Sequence, residues 1–323
     1  MEIALLIILF GLIFDYTNGF HDAANVVATV IATRVLTPLA AISMACVMNI
    51  AGAVHISGVA QTIATGLVNP EDATQLVVLA SVIGAILWNI LTWYYGIPSS
   101  SSYALIGGLL GAATVHSGIE TIFWGGLLYK VILPLFVAPT LGFSLGYGVM
   151  WFLSRLPAEM RQLKFFRHLQ IGSAALVALA HGLNDAQKSM GLITLGLYTS
   201  GLIATPAIPI WVILACAITL GLGTASAGFR IIRTMGFKIT DLNPMQGFAA
   251  ESSSAGVILG ASLLGMPVSS TYLIAGGITG VGAARGSKAV RWQVPQLIAA
   301  ATLCTIPGSA LLSALVYLIF NLY

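Results

Sequence analysis

Between Leu39 and Ile63 the chain runs through 25 positions without one Asp, Glu, Lys or Arg, and comparable stretches recur along most of its length. A soluble fold must coat itself with charge, and about a quarter of its residues normally carry one. Here 13 basic and 10 acidic side chains among 323 residues amount to 7%, against 58% hydrophobic types. So few charges cannot cover a water-soluble body of this size. Disorder, collagen and coiled coil each require a polar or strictly periodic composition, which this chain lacks. The expected solvent is a lipid bilayer.

At about 20 residues per span, the length predicts an all-α polytopic membrane protein of roughly ten to twelve segments. Apolar stretches fall near 3–14, 39–63, 76–95, 121–153, 171–180, 190–203, 208–229, 248–264 and 294–322. The first has no basic region ahead of it and no small-residue cleavage site, so it reads as a span and not a removable signal. Cys46, Cys216 and Cys304 lie in apolar runs and suggest neither a disulfide framework nor a metal site. Basic residues gather at 155–167, 230–238 and 285–291, which read as cytoplasmic loops of the cell (inner) membrane under the positive-inside rule. The stretches near Asp72 and Glu120 carry acids without Lys or Arg and read as external, as does the N-terminus. The net charge of +3 is thus a topology signal and not a nucleic-acid footprint.

An internal repeat organises the rest. Asn18, His21, Asp22 and Asn25 align with His181, Asn184, Asp185 and Lys188 at an offset of 163. Further on, Gly96-Ile-Pro-Ser-Ser-Ser-Ser-Tyr103 aligns with Gly265-Met-Pro-Val-Ser-Ser-Thr-Tyr272 at an offset of 169, and Gly107, Gly108 and Gly111 continue into Gly276, Gly277 and Gly280. Loops that correspond between the two halves carry opposite charge. This predicts an inverted-topology repeat, 1–153 and 169–323, joined by a basic cytoplasmic linker at 154–168, with a site near the midplane between them.

Asn18, His21, Asp22 and Asn25 fall on one stripe of a helix, as do their counterparts. A charge at the centre of a spanning helix costs about 2.5–3.5 kcal/mol and so needs a partner or a function. Carboxylate and amide oxygens suit a hard cation such as Na⁺; protonation is the other route to neutrality, and an ion pair with Lys188 or Arg34 is a structural one. His21 and His181 fit packing roles better than ligation, and Lys188 suits either an anion or Asp185.

Pro98 and Pro267 cannot continue a preceding helix, and each is followed by strong N-cap residues ahead of a new apolar run. Two re-entrant helical hairpins are predicted, with tips at Ser100, Ser101, Ser102 and at Ser269, Ser270, Thr271. A helix that starts at membrane depth presents unpaired N–H groups and a positive dipole end to an anion. A tetrahedral oxyanion would accept from both tips, while cations at Asp22 and Asp185 would cancel its repulsion from the carboxylates. Such reciprocal coupling defines a symporter. Within transport the alternative is a proton-coupled permease for phosphate, a metal–phosphate complex or sulfate on the same plan; an intramembrane phosphatase and a passive anion channel are the alternatives from other classes.

The run Gly19-Phe-His-Asp-Ala-Ala-Asn25 and the run His181-Gly-Leu-Asn-Asp-Ala-Gln-Lys-Ser-Met-Gly191 resemble the two signatures of the inorganic phosphate transporter (Pit) family. The resemblance covers essentially the whole chain. It implies an inverted-repeat fold, a homodimer, no enzymatic activity, and symport of inorganic phosphate with Na⁺, or with H⁺. On this basis phosphate contacts are expected from Asn25, Ser100, Ser101, Ser102, Gln187, Ser269, Ser270 and Thr271. Sodium ligands are expected from Asp22, Asn25, Asp185, Ser101 and Ser270. His21, Asn184, Lys188 and Glu251 complete the candidate set, with Asp15 behind them. This sequence departs from the family pattern at His21, where other branches have Asn, and at Val268, which replaces the serine expected from Ser99.

Overall fold

The computed structural model describes residues 2–55, 58–226 and 229–322, and among these the regular elements are helices, with one isolated β-bridge between Val68 and Ile122. The first six helices are α1 (Glu2–Ala32), α2 (Pro38–Ala53), α3 (Gly58–Thr65), α4 (Gln75–Tyr94), α5 (Ser101–Ser117) and α6 (Trp124–Ser154). The second six are α7 (Leu163–Thr199), α8 (Ile210–Ala225), α9 (Phe229–Arg233, continued by a π turn over Thr234–Lys238), α10 (Pro244–Leu263), α11 (Ser270–Ala283) and α12 (Gln293–Asn321). α6 contains a π turn at Leu128–Ile132 just ahead of Pro134 and Pro139, the kind of local rewinding that lets a helix accommodate lost N–H donors.

The element order repeats after six helices. α4 and α10 both span 20 residues, and the starts of α4, α5 and α6 recur 169 positions later in α10, α11 and α12. The pairs α2/α3 and α8/α9 are each apolar enough for one span but are bent, by 69° and 65°. Both hairpin turns are built alike. Gly96 and Gly265 have φ of +66°, a left-handed conformation in which glycine pays no Cβ penalty. The amide of Ile97 donates to Thr92 O and that of Gly96 to Trp93 O; Met266 and Gly265 repeat both bonds to Ala261 and Ser262. These are paired Schellman closures, followed by a proline that prevents the helix from resuming at once. Ser100 and Ser269 then cap α5 and α11 by accepting from the amides of Tyr103 and Tyr272, both at 3.2 Å.

Packing is reciprocal and crosses between the halves. α1 lies on α8 as α7 lies on α2, and α5 lies on α12 as α11 lies on α6. The closest approaches show the same exchange: a Cβ at Gly52 would meet Leu179 O at 2.0 Å, and one at Gly223 would meet Tyr16 O at 2.2 Å. Only glycine permits these backbones to touch. α1 and α7 run antiparallel, since Asp15 midway along α1 bonds Ser189 whereas Thr33, just past its end, bonds the earlier Gln170. Each half's bent pair also holds the other half's hairpin turn: Thr62 donates to Gly265 O at 2.7 Å, and Arg230 donates to Tyr94 O at 2.8 Å.

Large apolar side chains such as Leu39, Leu263 and Leu311 face outward, at 77%, 83% and 67% exposure. That is the surface expected of a protein dissolved in lipid. Among the described residues, four helices qualify as spans by length and apolarity, or up to six if each bent pair is one span. Of the remaining helices, α5 and α11 are short, at 17 and 14 residues, while α7 and α10 bury charged and serine-rich motifs inside the bundle, which lowers their mean hydropathy. Three details of the sequence reading are corrected. Residues 230–238 are helical and belong to a bent pair instead of forming a loop, and α7 starts at Leu163, inside the stretch read as linker. The apolar run 171–180 and most of the run 190–203 are one helix that passes through Asp185 and ends at Thr199.

Candidate functional site

The two signature helices cross where their carboxylates lie. One ligand atom from each of Asp22, His181 and Asp185 falls within 4.8 Å of the others, and all three residues are buried. Both hairpin tips close over this point. Thr271 Oγ1 donates to Asp22 Oδ1 at 3.2 Å, and Ser270 Oγ donates to Asp185 Oδ2 at 3.5 Å. The Asn25 amide donates to Thr271 Oγ1 at 2.8 Å and to Ser270 Oγ at 3.3 Å. Tip meets tip directly, with Ser102 Oγ donating to Val268 O at 3.1 Å. The N-termini of α5 and α11, with the amides of Ser101, Ser102, Ser270 and Thr271 in their first turns, therefore point into one buried polar centre.

The two carboxylates have different partners. Asp22 Oδ1 lies 2.9 Å from His21 Nδ1. Asp185 Oδ1 lies 2.7 Å from Lys188 Nζ, and Asp185 Oδ2 lies 3.4 Å from His181 Nε2. Lys188 also donates to Ser102 Oγ and, at 3.1 Å, to Val268 O. Several polar atoms at the centre are buried without a hydrogen-bond partner, among them Ser101 Oγ and Asn25 Oδ1. Buried polar atoms are normally satisfied, which makes these two candidate ligand contacts.

Other candidates fall elsewhere. Gln187 donates to His55 O at 2.8 Å, at the end of α2, and does not reach the tips. Two residues past Asp185, it faces away from the stripe that carries the carboxylate. Ser100 and Ser269 cap their helices. Asn184 donates to Ser262 Oγ and Met266 O, tying α7 to the second hairpin. Glu251 accepts from Thr29, Gln170 and Ser173 in a separate buried cluster, and Asp15 accepts from Ser189 at 2.6 Å. Asn49 and Thr224 were missed by sequence reasoning: Asn49 lies 3.2 Å from His181 Nδ1 and donates to Thr224 Oγ1 at 2.8 Å. Their only signal was polarity within apolar runs.

The geometry has a counterpart among known proteins. A family model described as the phosphate transporter family (PHO4) matches residues 18–313. The chain belongs to that family. A probable low-affinity inorganic phosphate transporter of Rhizobium meliloti is 46% identical over 314 residues, covering 95% of this chain and 93% of the relative. One of Bacillus subtilis is 42% identical, with 99% and 98% covered. A solved structure described as the sodium-dependent phosphate transporter superposes over 100% of both chains with a TM-score of 0.89 at 25% identity. The family member described here is a multi-pass membrane protein and an inorganic phosphate transporter. Its substrate matches what two helix N-termini with hydroxyl-bearing first turns hold well, an oxyanion.

Proposed function

We propose that the chain is a sodium-coupled inorganic phosphate symporter that works by alternating access. The observation that carries this reading is the meeting of Asp22 and Asp185, one from each half, between two helix starts. Alone, the carboxylates repel a phosphate. A cation bound by Asp22 with Asn25 Oδ1 removes that repulsion, and phosphate then accepts from the first-turn amides of α5 and α11 and from Ser101 and Ser270. Each ligand thereby raises the affinity for the other. Carboxylate, amide and hydroxyl oxygens form a hard donor set suited to Na⁺. A sodium-dependent relative of the same fold supports the choice of ion.

The halves 1–153 and 169–323 act as inverted repeats about the basic linker 154–168, an assignment supported by the antiparallel α1 and α7 and by the exchanged packing. In this orientation 155–167 and 285–291 face the cytoplasm, the N-terminus lies outside, and the working unit is a homodimer. The buried centre corresponds to an occluded stage, from which movement of the hairpins opens one side at a time. His21, 2.9 Å from Asp22, favours one second reading, in which a proton replaces sodium at the same carboxylate. Phosphate uptake into proteoliposomes, with Na⁺ and pH gradients imposed independently, tests the assignment. Sodium-driven accumulation at symmetrical pH is expected; accumulation driven only by the pH gradient overturns the sodium assignment.

A further inference from the structure

Asn25 and Lys188 occupy equivalent positions, three residues after the aspartate in each signature. Their surroundings correspond as well. Asn25 reaches Thr271 Oγ1, and Lys188 reaches Ser102 Oγ, the residue 169 positions earlier. Lys188 is fully buried, and its ammonium has three N–H donors. All three have oxygen acceptors: the Asp185 carboxylate at 2.7 Å, the Val268 carbonyl at 3.1 Å, and the Ser102 hydroxyl. No donor is left over to bind phosphate. A carboxylate, a carbonyl and a hydroxyl converging on one positive centre is the donor set of a hard cation, here satisfied by a side chain.

The first half lacks such a group. Asn25 is neutral, its Oδ1 is buried and unpartnered, and among the described residues no Lys or Arg pairs with Asp22. We propose that Lys188 is a tethered cation that fills the ion position of the second half, leaving Asp22 as the single position for an exchangeable one. The inference rests on the symport reading above and refines it. With neutral imidazoles, two carboxylates and one ammonium leave one negative charge, which one bound Na⁺ cancels before phosphate arrives. The chain thus couples one ion fewer than the two-fold repetition of its motif allows. Each ion dropped lowers the attainable phosphate gradient by the factor of that ion's own gradient.

The test counts driving charge per phosphate in proteoliposomes, read from the combined ion gradient and membrane potential at which net flux of labelled phosphate vanishes. Lys188→Asn, which makes the second half like the first, is expected to raise the ratio by one cation. It should also raise the sodium dependence of uptake from first to second order, and add a sodium-dependent rise in the unfolding temperature of the purified protein, with choline as control. Asn25→Lys is expected to abolish the cation requirement. An unchanged ratio in Lys188→Asn, or second-order sodium dependence in the wild-type protein, overturns the proposal. Should Lys188→Asn not fold, the wild-type order and Asn25→Lys still decide. Wild-type uptake indifferent to sodium defeats the choice of sodium as the driving ion, whereas the charge ratio judges Lys188 whichever cation drives transport.

Discussion

The two halves of this transporter share a backbone plan but not a polar chemistry. Where backbones touch, at Gly52 against Leu179 and Gly223 against Tyr16, the halves are interchangeable. Where side chains meet the centre they diverge. Asp22 has His21 and Asn25 beside it; Asp185 has His181 and Lys188. A second divergence lies one helix away. A cavity of 290 Å³ between α1 and α4 is lined by His21, Asn89 and Trp93, and both amide atoms of Asn89 are buried without partners. At the equivalent place between α7 and α10, Asn184 bonds Ser262, where the first half has His21 3.4 Å from Thr92. Repeated packing therefore fixes where the helices cross, while a few unrepeated side chains give each half its own polar surroundings.

The comparison is most exposed at the aspartates. Asp22→Asn removes a charged ligand worth about 3 kcal/mol, so cation-driven uptake is expected to fall by about 100-fold or more while the protein stays folded. Asp185→Asn leaves Lys188 as an unpaired buried charge, which costs about 3–5 kcal/mol of stability. That variant should lose its thermal stability together with its transport. Uptake assays paired with unfolding temperatures check both, and equal stability loss in the two variants would erase the distinction between the halves. Next in size are Gly52→Val and Gly223→Val. Each drives a side chain into a carbonyl of the facing helix, and each is expected to cost at least about 3 kcal/mol, with matched shifts in unfolding temperature because the contacts are equivalent. The smallest effect is at the tips. Ser101→Ala removes one unpartnered hydroxyl but leaves the backbone amides, so phosphate affinity should weaken by about tenfold or less. Ser270→Ala should weaken it more, because that hydroxyl also accepts from Asn25 and donates to Asp185. Half-saturation for phosphate in uptake assays ranks the pair.

Much of this plan was legible before any coordinates. The scarcity of charge dictated a lipid-embedded helical bundle, and a motif written twice marked Asp22, Asp185 and the two serine clusters. The i, i+3, i+4 spacing placed each polar stripe on one helix face, and Gly-Ile-Pro and Gly-Met-Pro marked the hairpin turns. What stayed hidden depended on which helices become neighbours. Hydropathy divided α7 at Asp185 because a helix shielded by protein tolerates polar side chains that lipid would reject. The same blindness turned 230–238 into a loop, since its basic residues outweighed its helical pattern. Gln187 lies two residues from the Asp185 carboxylate in sequence, yet residues so close on a helix look in different directions. The saturation of Lys188 required Val268 O, a backbone atom that no residue type announces.

The most direct measurement of the central claim is a crystal structure of the transporter with arsenate, a phosphate analogue located by its anomalous scattering. The account predicts one peak within hydrogen-bonding reach of the first-turn amides of both α5 and α11, beside Asp22 and Asp185. An anion held elsewhere, with the two carboxylates apart and neither helix start facing it, would contradict the account.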